Sequence, residues 1–590
     1  MSRVRLIGIS ILLSSMLTPL AGFAQDAPAA PPLVAHPPAA PRAAKPAASA
    51  PAPKPQTDEW LTYGFNSERS NWNHGESVLN KTNVSHLKLL WDSKVSTPPV
   101  DTALSTLTAP LVVKDVDVAG AKTDLVILLG ADDTLFALNA DNGKVVWQKT
   151  FTNPLTAHRA ATWLCSNTAN DTPTIDKARG LVFFVPSDGK LRAVSLSDGA
   201  EKMAPTDMLA PFARAWSLNL YDGVVYAGSG RGCGEIVDPH STMMAAADPK
   251  PGAAMSSLPD PAAISAMDVH DLAHPQLTRF YLSGSRAAGP WGAGGVVHTR
   301  RGVIFQTADG AYDPAGGAWG SSLIELAPKA TRVLDSFTYP TWQYINKFDL
   351  DPGSGSPLVF PMGDRSVALS IGKEAVAYLL DTTNLGGANH MTALYTSPKL
   401  GNEAAIGTEP GQGLWGAPGT YQTADGRRML YIPIWGPPAK TAPAFKNSYG
   451  DAPNGSIMAF EVVDQGGKLN MIPQWISPNM TVPSPPVAAN GVVYAVQSGE
   501  QTLQYIPVAP GAPRVPPGPG AGANFRATPV SNLVLYAFDA ETGKTLYSSK
   551  KIVPGWVHFN EPVVALGKVF VVTHDSHVYA FGLPSETPKK

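Results

Sequence analysis

The chain contains little charge and almost no cysteine. Charged residues make up 16% of its 590 residues, the formal net charge is −2, and two cysteines are present. No basic cluster occurs beyond the first residues, which argues against nucleic-acid binding. The sequence also lacks a Cys-x-x-Cys-His segment and any histidine pair at zinc-ligand spacing. Covalently attached haem and a histidine-based zinc site are therefore excluded.

Long apolar runs are missing everywhere except at the amino terminus. Arg3 and Arg5 precede an apolar stretch from Leu6 to Leu20, and the small residues of Gly22–Ala24 follow it. This order is typical of a secretory signal, which we place at residues 1–24. The stretch is short and is interrupted by serine and proline, which disfavours a membrane anchor. The sequence predicts a periplasmic or secreted protein with no transmembrane segment after cleavage.

Composition divides the remaining chain into segments. Residues 25–57 are almost entirely Ala and Pro, which cannot bury a core and predict a disordered linker. We expect one domain at 58–584, with Pro-rich loop insertions at about 239–275 and 501–528. Residues 585–590 are polar and are predicted to be a disordered tail.

The most informative pattern is a repeated phrase: a short apolar strand, an Asp-rich turn with Gly-Lys, and then an aromatic residue. It spans Asp133–Trp147 and returns at Asn532–Tyr547, with weaker copies at Asp188–Gly199 and Gly455–Glu461. Each copy predicts a hairpin, because Gly accepts positive φ and Asp or Asn bonds back to the turn backbone. The closing aromatic residue offers a flat surface for packing between neighbouring sheets.

Repeats spread over most of a long chain predict stacked supersecondary units. Further short β-branched runs alternate with the repeats, and no long amphipathic helix separates them. We therefore predict an all-β fold, an eight-bladed β-propeller of four-stranded blades. An array of β-sandwiches is the alternative, since it too uses short strands between turns.

The repeat resembles the tryptophan-docking motif of the quinoprotein alcohol dehydrogenase-like superfamily, whose propellers are built from PQQ-type repeats. Segments Trp60–Gly64, Asn83–Trp91 and Asp575–Gly582 are similar to that superfamily as well. The resemblance extends from about Trp60 to Gly582. It implies pyrroloquinoline quinone as cofactor, Ca²⁺ as metal, an alcohol or sugar as substrate and a separate electron acceptor.

The resemblance also implies site residues. Trp291 falls where the superfamily has a tryptophan beneath the quinone, and Lys373 falls where a basic residue contacts the quinone oxygens. Asp349 matches the catalytic aspartate, which takes the hydroxyl proton and also binds the metal. Asp309 stands where an asparagine is a metal ligand, and its carboxylate suits a hard cation.

A glycine-rich loop adds further candidates. Residues 228–235 resemble a Gly-Ser-Gly loop that carries a metal-binding glutamate, which suggests Ser229, Gly230 and Arg231 for the cofactor and Glu235 for the metal. An arginine expected in related enzymes is replaced by Asn170, and Arg231 is a candidate substitute. Since Cys165 and Cys233 map to the same face of the funnel, we expect them to form a disulfide.

Each of these residues also has a structural interpretation. Trp291 fits inter-blade packing, while Asp309 and Lys373 stand in turn sequences. Asp349 and Asp351 flank the turn before Pro352 and are interpreted as turn residues. Two functions therefore remain open at this stage. One is an exported dehydrogenase that uses the quinone, and the other is a non-catalytic propeller that serves as a scaffold or binding protein of the bacterial envelope.

Overall fold

The structure is a computed structural model. It describes residues 58–95, 105–157, 161, 165–168, 171–230, 233, 262–282, 288–402, 412–500 and 529–584. The predicted signal, the linker, the second insertion and the tail lie outside these residues.

The first half of the described chain builds four blades. Two early strands, β1 (Trp72–Asn73) and β2 (Lys88–Lys94), precede them and join later blades. Blade 1 comprises β3 (Leu111–Val118), β4 (Ala121–Leu129), β5 (Thr134–Asn139) and β6 (Val145–Thr150). Blade 2 comprises β7 (Thr174–Asp176), β8 (Leu181–Phe184), β9 (Lys190–Ser195) and β10 (Thr206–Asp207). Blade 3 comprises β11 (Asn219–Tyr221), β12 (Val224–Ser229), β13 (Ala263–Asp268) and β14 (Gln276–Tyr281).

Blade 4 is interrupted by a hairpin. It is followed by an α-helix, the only one among the described residues. It comprises β15 (Val297–His298), β16 (Val303–Gln306), β19 (Ser322–Leu326) and β20 (Val333–Thr338), with β17 (Tyr312–Asp313) and β18 (Ala318–Trp319) as the hairpin. The helix α1 (Trp342–Phe348) lies between blades 4 and 5. Short 3₁₀ turns occur at Val84–His86, Pro328–Ala330, Pro352–Ser354 and Gly387–Asn389.

The second half builds the other four blades. Blade 5 comprises β21 (Leu358–Met362), β22 (Arg365–Ser370), β23 (Tyr378–Asp381) and β24 (Tyr395–Thr396). Blade 6 comprises β25 (Gly419–Gln422), β26 (Arg428–Trp435), β27 (Asn447–Ser448), β28 (Gly455–Gln465) and β29 (Lys468–Ile476). Blade 7 comprises β30 (Val487–Ala489), β31 (Val492–Gln497), β32 (Val534–Asp539) and β33 (Thr545–Ser548), extended by β1. Blade 8 comprises β34 (Val563–Ala565), β35 (Lys568–Val572) and β36 (His577–Gly582), completed by β2.

These eight sheets form a ring. The four main strands of each blade pair antiparallel, whereas β27 and β1 add parallel pairings to blades 6 and 7. The first strand of each of blades 4 to 7 contacts the first strand of the following blade. Strand β2 pairs antiparallel with β36, with Trp91 opposite Ala580, so the amino-terminal strand completes the last blade. The predicted eight-bladed propeller is confirmed, and separate β-sandwiches are excluded for the described residues.

The repeat phrase joins neighbouring blades through tryptophan. The indole Nε1 of Trp147, in the outer strand of blade 1, donates a hydrogen bond of 2.9 Å to Leu196 O in blade 2. A Cβ on Gly199, in the same turn, would lie 2.9 Å from the Trp147 ring. Trp475 makes the equivalent 3.0 Å bond to Ala540 O in blade 7. These turns require glycine for two reasons: the backbone has a positive φ, and the indole ring leaves no room for a Cβ.

One predicted boundary is wrong. The insertion expected at about 239–275 cannot extend to its predicted end, because β13 pairs along its whole length with β12 inside blade 3. The strand has the sequence Ala-Ile-Ser-Ala-Met-Asp and is almost entirely buried, but the Ala-rich and Pro-rich composition around it predicted a loop. Residues 239–261 lie outside the described part of the chain. Among the described residues, no helix is long and apolar enough to cross a membrane.

Candidate functional site

Trp291 lies in the loop that leads into blade 4 and is held in place by two loops. Its side chain is 3% exposed. The indole Nε1 donates a 2.6 Å hydrogen bond to Asp351 Oδ2, and the backbone N–H donates to Gly353 O. Gly289, two residues before it, packs so tightly on Gly230 that a Cβ would lie 2.4 Å from Gly230 Cα. The ring therefore has one defined orientation in the hub.

Lys373 is the cation at the centre of the site. Its Nζ lies 2.9 Å from Asp349 Oδ1 and 2.7 Å from Asp351 Oδ1, while its side chain is 3% exposed. The same ammonium lies 5.1 Å from the ring centroid of Trp291 and 4.9 Å from that of Trp415. Carboxylates and aromatic faces both stabilise a cation that burial removes from water.

The backbone around Lys373 explains this position. Asn402 Nδ2 donates a 2.6 Å hydrogen bond to Lys373 O. Gly413, at φ +84°, lies so close that a Cβ would be 2.0 Å from Lys373 O. Glycine at 413 thus allows the chain bearing Trp415 to lie directly against the chain bearing Lys373.

Three carboxylates converge beside this ammonium. Oxygens of Asp309, Asp349 and Asp351 all lie within 4.8 Å of one another. Asp351 is fully buried, whereas Asp309 and Asp349 are partly exposed. Carboxylate oxygens at this separation can supply part of the oxygen ligands that a hard cation such as Ca²⁺ takes. The residues present therefore fit a metal ion, with the flat Trp291 ring beside it suited to an aromatic cofactor.

The helix α1 positions two of these acids. Asp349 caps its carboxyl end in the left-handed region, at φ 54°, a conformation that Asp and Asn tolerate better than other residues with a Cβ. Asn346 in the helix donates from Nδ2 to Gly310 O at 2.6 Å and accepts from the Gly310 N–H at 3.2 Å. These two hydrogen bonds hold the loop that carries Asp309 against the helix that precedes Asp349.

Gln306, at the end of β16, positions the other two charged residues. Its Nε2 donates to Pro352 O, Gly355 O and Ile371 O, at 2.5, 3.1 and 3.0 Å. Its Oε1 accepts from Ser370 Oγ and from the Ile371 N–H. The fully buried amide thereby ties the loop after Asp351 to the strand end before Lys373.

A cluster of aromatic rings surrounds the buried side of the site. Trp415 stacks on Trp435 with ring centroids 5.0 Å apart and planes at 7°. Trp291 contacts Trp415 edge to face at 5.1 Å, and Phe559 lies 6.4 Å from Trp291. The Trp291 and Trp415 rings beside Lys373 lower the local dielectric and so strengthen its ion pairs.

The structure thus brings together Trp291, Asp309, Asp349 and Lys373, which the sequence resemblance had singled out. Asp351 belongs to the same cluster but was interpreted in the sequence as a turn residue. The spacing Asp349-Leu-Asp351 before a Pro-Gly pair is the signal that could have identified it. Gln306 and Asn346 carry no recognisable sequence signal, because their partners lie in other loops and strands and are mostly backbone atoms.

The glycine-rich loop is described only in part. Ser229 is buried, and Gly230 is explained by its packing on Gly289. Arg231 and Glu235 lie outside the described residues. Cys165 and Cys233 form a disulfide, with Cα atoms 5.4 Å apart across 68 positions of sequence.

Comparison with known proteins agrees with this architecture. A family model described as the outer membrane protein assembly factor BamB matches residues 80–274. The quinohemoprotein alcohol dehydrogenase ADHIIG of Pseudomonas putida HK5 superposes with a TM-score of 0.55 at 13% identity, covering 89% of this chain and 80% of that chain. The quinohemoprotein alcohol dehydrogenase of Comamonas testosteroni gives 0.53 at 12% identity, with 91% and 82% covered. A europium-containing methanol dehydrogenase gives 0.54 at 12% identity, with 89% and 98% covered.

No relative among curated protein sequences matches the chain. At 12–13% identity, the structural likeness concerns the fold. The protein shares the fold of these dehydrogenases, and the predicted resemblance is confirmed at the level of the fold.

Proposed function

We propose that this protein is an exported quinoprotein dehydrogenase that binds pyrroloquinoline quinone and Ca²⁺ at the hub and oxidises an alcohol or an aldose. The observation that carries the proposal is the convergence of Asp309, Asp349 and Asp351 with Lys373 beside the Trp291 ring. These residues come from three loops separated by up to 64 positions, so ordinary turn chemistry does not explain their meeting.

The residues differ in what they can do. Asp349 is partly exposed and can meet a substrate hydroxyl, so it is the residue that takes the proton. Asp351 is inaccessible and is bonded to Trp291 and Lys373, which makes it a positioning residue that can share the metal. Lys373 holds both carboxylates and presents positive charge at the place where negative charge develops.

The cofactor would supply the two-electron acceptor, and the metal would supply Lewis acidity at its edge. Asp309, Asp349 and Asp351 would hold the metal, and Trp291 would support the planar ring. Electrons would leave to a separate acceptor, since the sequence contains no haem attachment segment. The signal-like residues 1–24 support a periplasmic or secreted location for this chemistry.

The proposal is tested by adding the quinone to the purified apoprotein with Ca²⁺ or with a trivalent lanthanide ion. Uptake is measured by equilibrium dialysis, and turnover by dye-coupled oxidation of a panel of alcohols and aldoses. We expect uptake that depends on the metal, together with oxidation of at least one substrate. Absence of quinone uptake with every metal would refute the proposal.

The proton acceptor is tested by Asp349→Asn. Asparagine suits the left-handed backbone at this position, so the fold is expected to remain intact. Loss of the base should lower turnover about 10²- to 10⁴-fold without a comparable change in the unfolding midpoint. The exposed Asp364→Asn is the matched control and should retain full activity. Wild-type turnover in Asp349→Asn would remove this residue from the mechanism.

A non-catalytic scaffold of the envelope is the second candidate, because the matched family model describes an assembly factor. The same dialysis experiment separates the two candidates. Quinone uptake with a metal supports the dehydrogenase, and a protein that takes up neither quinone nor metal supports the scaffold.

A further inference from the structure

A buried carboxyl group lines a cavity in blade 2, whereas the acid cluster of the hub is built by loops around blades 4 and 5. Asp171 precedes β7 and is 3% exposed. The cavity measures about 210 Å³, including its opening to solvent, and its other walls are residues of the β8–β9 turn (185–189) and of the loop at 209–213. Among the residues that the structure describes, none forms a hydrogen bond with Oδ1 of Asp171. A buried polar atom of this kind indicates a ligand, because leaving it without a partner is costly.

Backbone hydrogen bonds fix the two walls of this cavity. The Phe212 N–H donates to Ser187 O at 2.7 Å, and the Leu209 N–H donates to Gly189 O at 2.9 Å. Gly189 has a φ of +75°, and a Cβ there would lie 2.4 Å from Leu209 O. The turn and the loop are therefore held at a defined separation, and Asp171 faces a preformed space.

The hydroxyl group of Ser187 on the cavity wall is oriented to accept rather than to donate. Its Oγ donates its single proton to Asp133 Oδ2, and the Ser187 N–H donates to Asp133 Oδ1 at 2.7 Å. Asn153 Nδ2 donates to the same Oγ at 2.9 Å. A hydroxyl oxygen has two lone pairs, so one remains for a cation. A carboxylate behind a ligand oxygen is the arrangement that orients the ligands of metal sites.

Charge around the cavity favours a divalent cation. Asp171 and Asp133 each bring one negative charge when ionised, and Arg192 in β9 is engaged by the two oxygens of Asp188 at 2.9 and 2.6 Å. Burial alone raises the pKa of Asp171 to about 8, and burial raises the pKa of Asp133 to about 6 although Ser187 donates to it. Asp171 therefore keeps a proton at neutral pH unless a cation takes the place of that proton.

We propose that Asp171 binds Ca²⁺ or another hard divalent cation in this cavity, with the hydroxyl oxygens of Ser187 and Thr168 as further ligands. Thr168 lines the cavity and is partly exposed, so water completes the coordination shell at the opening. The bound ion joins the β8–β9 turn to the loop before blade 3 and stabilises blade 2. This second metal site goes beyond the proposed function, which concerns the hub.

The test counts bound Ca²⁺ by equilibrium dialysis of the metal-free protein at pH 9 and at pH 7. It compares wild type, Asp171→Asn and the matched control Asp364→Asn, whose side chain is exposed. A fourth protein, the hub variant Asp309→Asn/Asp349→Asn, lacks two of the three acids of the hub. We expect two ions in wild type and in Asp364→Asn, and one ion in each of the other proteins. In the hub variant, the affinity should be about tenfold lower at pH 7 than at pH 9, because the ionised fraction of Asp171 falls by that factor.

The outcomes separate this inference from the proposed function. If wild type binds one ion, which Asp171→Asn loses and the hub variant keeps, the cavity site stands and the hub metal falls. If Asp171→Asn binds as many ions as wild type, the inference is overturned, and the count in the hub variant then decides the hub site by itself. If wild type binds no ion, both sites are refuted.

Hydrogen exchange localises the bound ion. Ca²⁺ should slow exchange in residues 185–189 and 209–213 of wild type and leave it unchanged in Asp171→Asn, since the ion joins these two segments. Equal slowing in both proteins would overturn the assignment to the cavity. Circular dichroism shows whether each variant is folded, and Asp171→Ser provides the measurement if Asp171→Asn is not.

Discussion

Replacing Gln306 by methionine tests whether one buried amide holds the site together. Methionine has nearly the same length and volume, so packing is retained while the hydrogen bonds are lost. The two amide protons of Gln306 serve three carbonyl groups, and its oxygen accepts two further bonds. At about 1 kcal/mol of net stability for each full bond, and less for shared ones, the loss is about 3–5 kcal/mol.

The assay is the thermal unfolding midpoint, combined with quinone and metal dialysis. We expect a clear fall in the midpoint for Gln306→Met, because the freed carbonyls of the 352–355 loop and of Ile371 remain buried. Ligand binding should weaken as well, since the amide no longer joins the loop after Asp351 to the strand end before Lys373. Gln422→Met is the matched control: its amide is exposed and makes only long bonds, so the midpoint should stay near that of wild type. Equal midpoints for the two variants would refute the role assigned to Gln306.

Two further predictions concern stability. Burial raises the pKa of Glu561 from 4.5 to about 8, although Trp60 Nε1 and the Gly64 N–H donate to it. Between these pH values the folded protein keeps a proton that the unfolded chain releases, so stability falls as pH rises, by up to about 1.4 kcal/mol per pH unit. Glu561→Gln can still accept both hydrogen bonds, and it should reduce the dependence of the unfolding midpoint on pH between pH 5 and 8. An unchanged pH dependence would contradict this assignment. Titration of the denatured, unreduced protein should find no free thiol, because Cys165 and Cys233 are joined, and two free thiols would exclude the disulfide.

The repeats made the fold predictable, because one short phrase specifies both a hairpin and its attachment to the next blade. Trp147 and Gly199 stand far apart in sequence, yet each belongs to a recognisable copy. The boundary at β13 was missed because Ala and Ser in a propeller strand carry no β signal of their own. They are buried by contact with the neighbouring blades, which composition does not reveal.

The candidate site was predictable only where the order of residues resembles a known pattern. Trp291, Asp309, Asp349 and Lys373 fall into this group, and their roles remain proposals. Asp351 was interpreted as a turn residue because its partners, Trp291 and Lys373, come from other loops. Short-range pattern reading cannot assign a partner that lies 60 positions away.

The amino-acid sequence by itself determined the propeller, and it predicts an export signal at residues 1–24. The strand, the turn and the docking aromatic residue each depend on residues close together in sequence, and they recur from blade to blade. The predicted leader likewise depends only on its own residues. Only the tertiary structure decided which charges meet. Closing the ring brings together loops of blades 4 and 5, where burial and low dielectric strengthen the interaction of Lys373 with the aspartates.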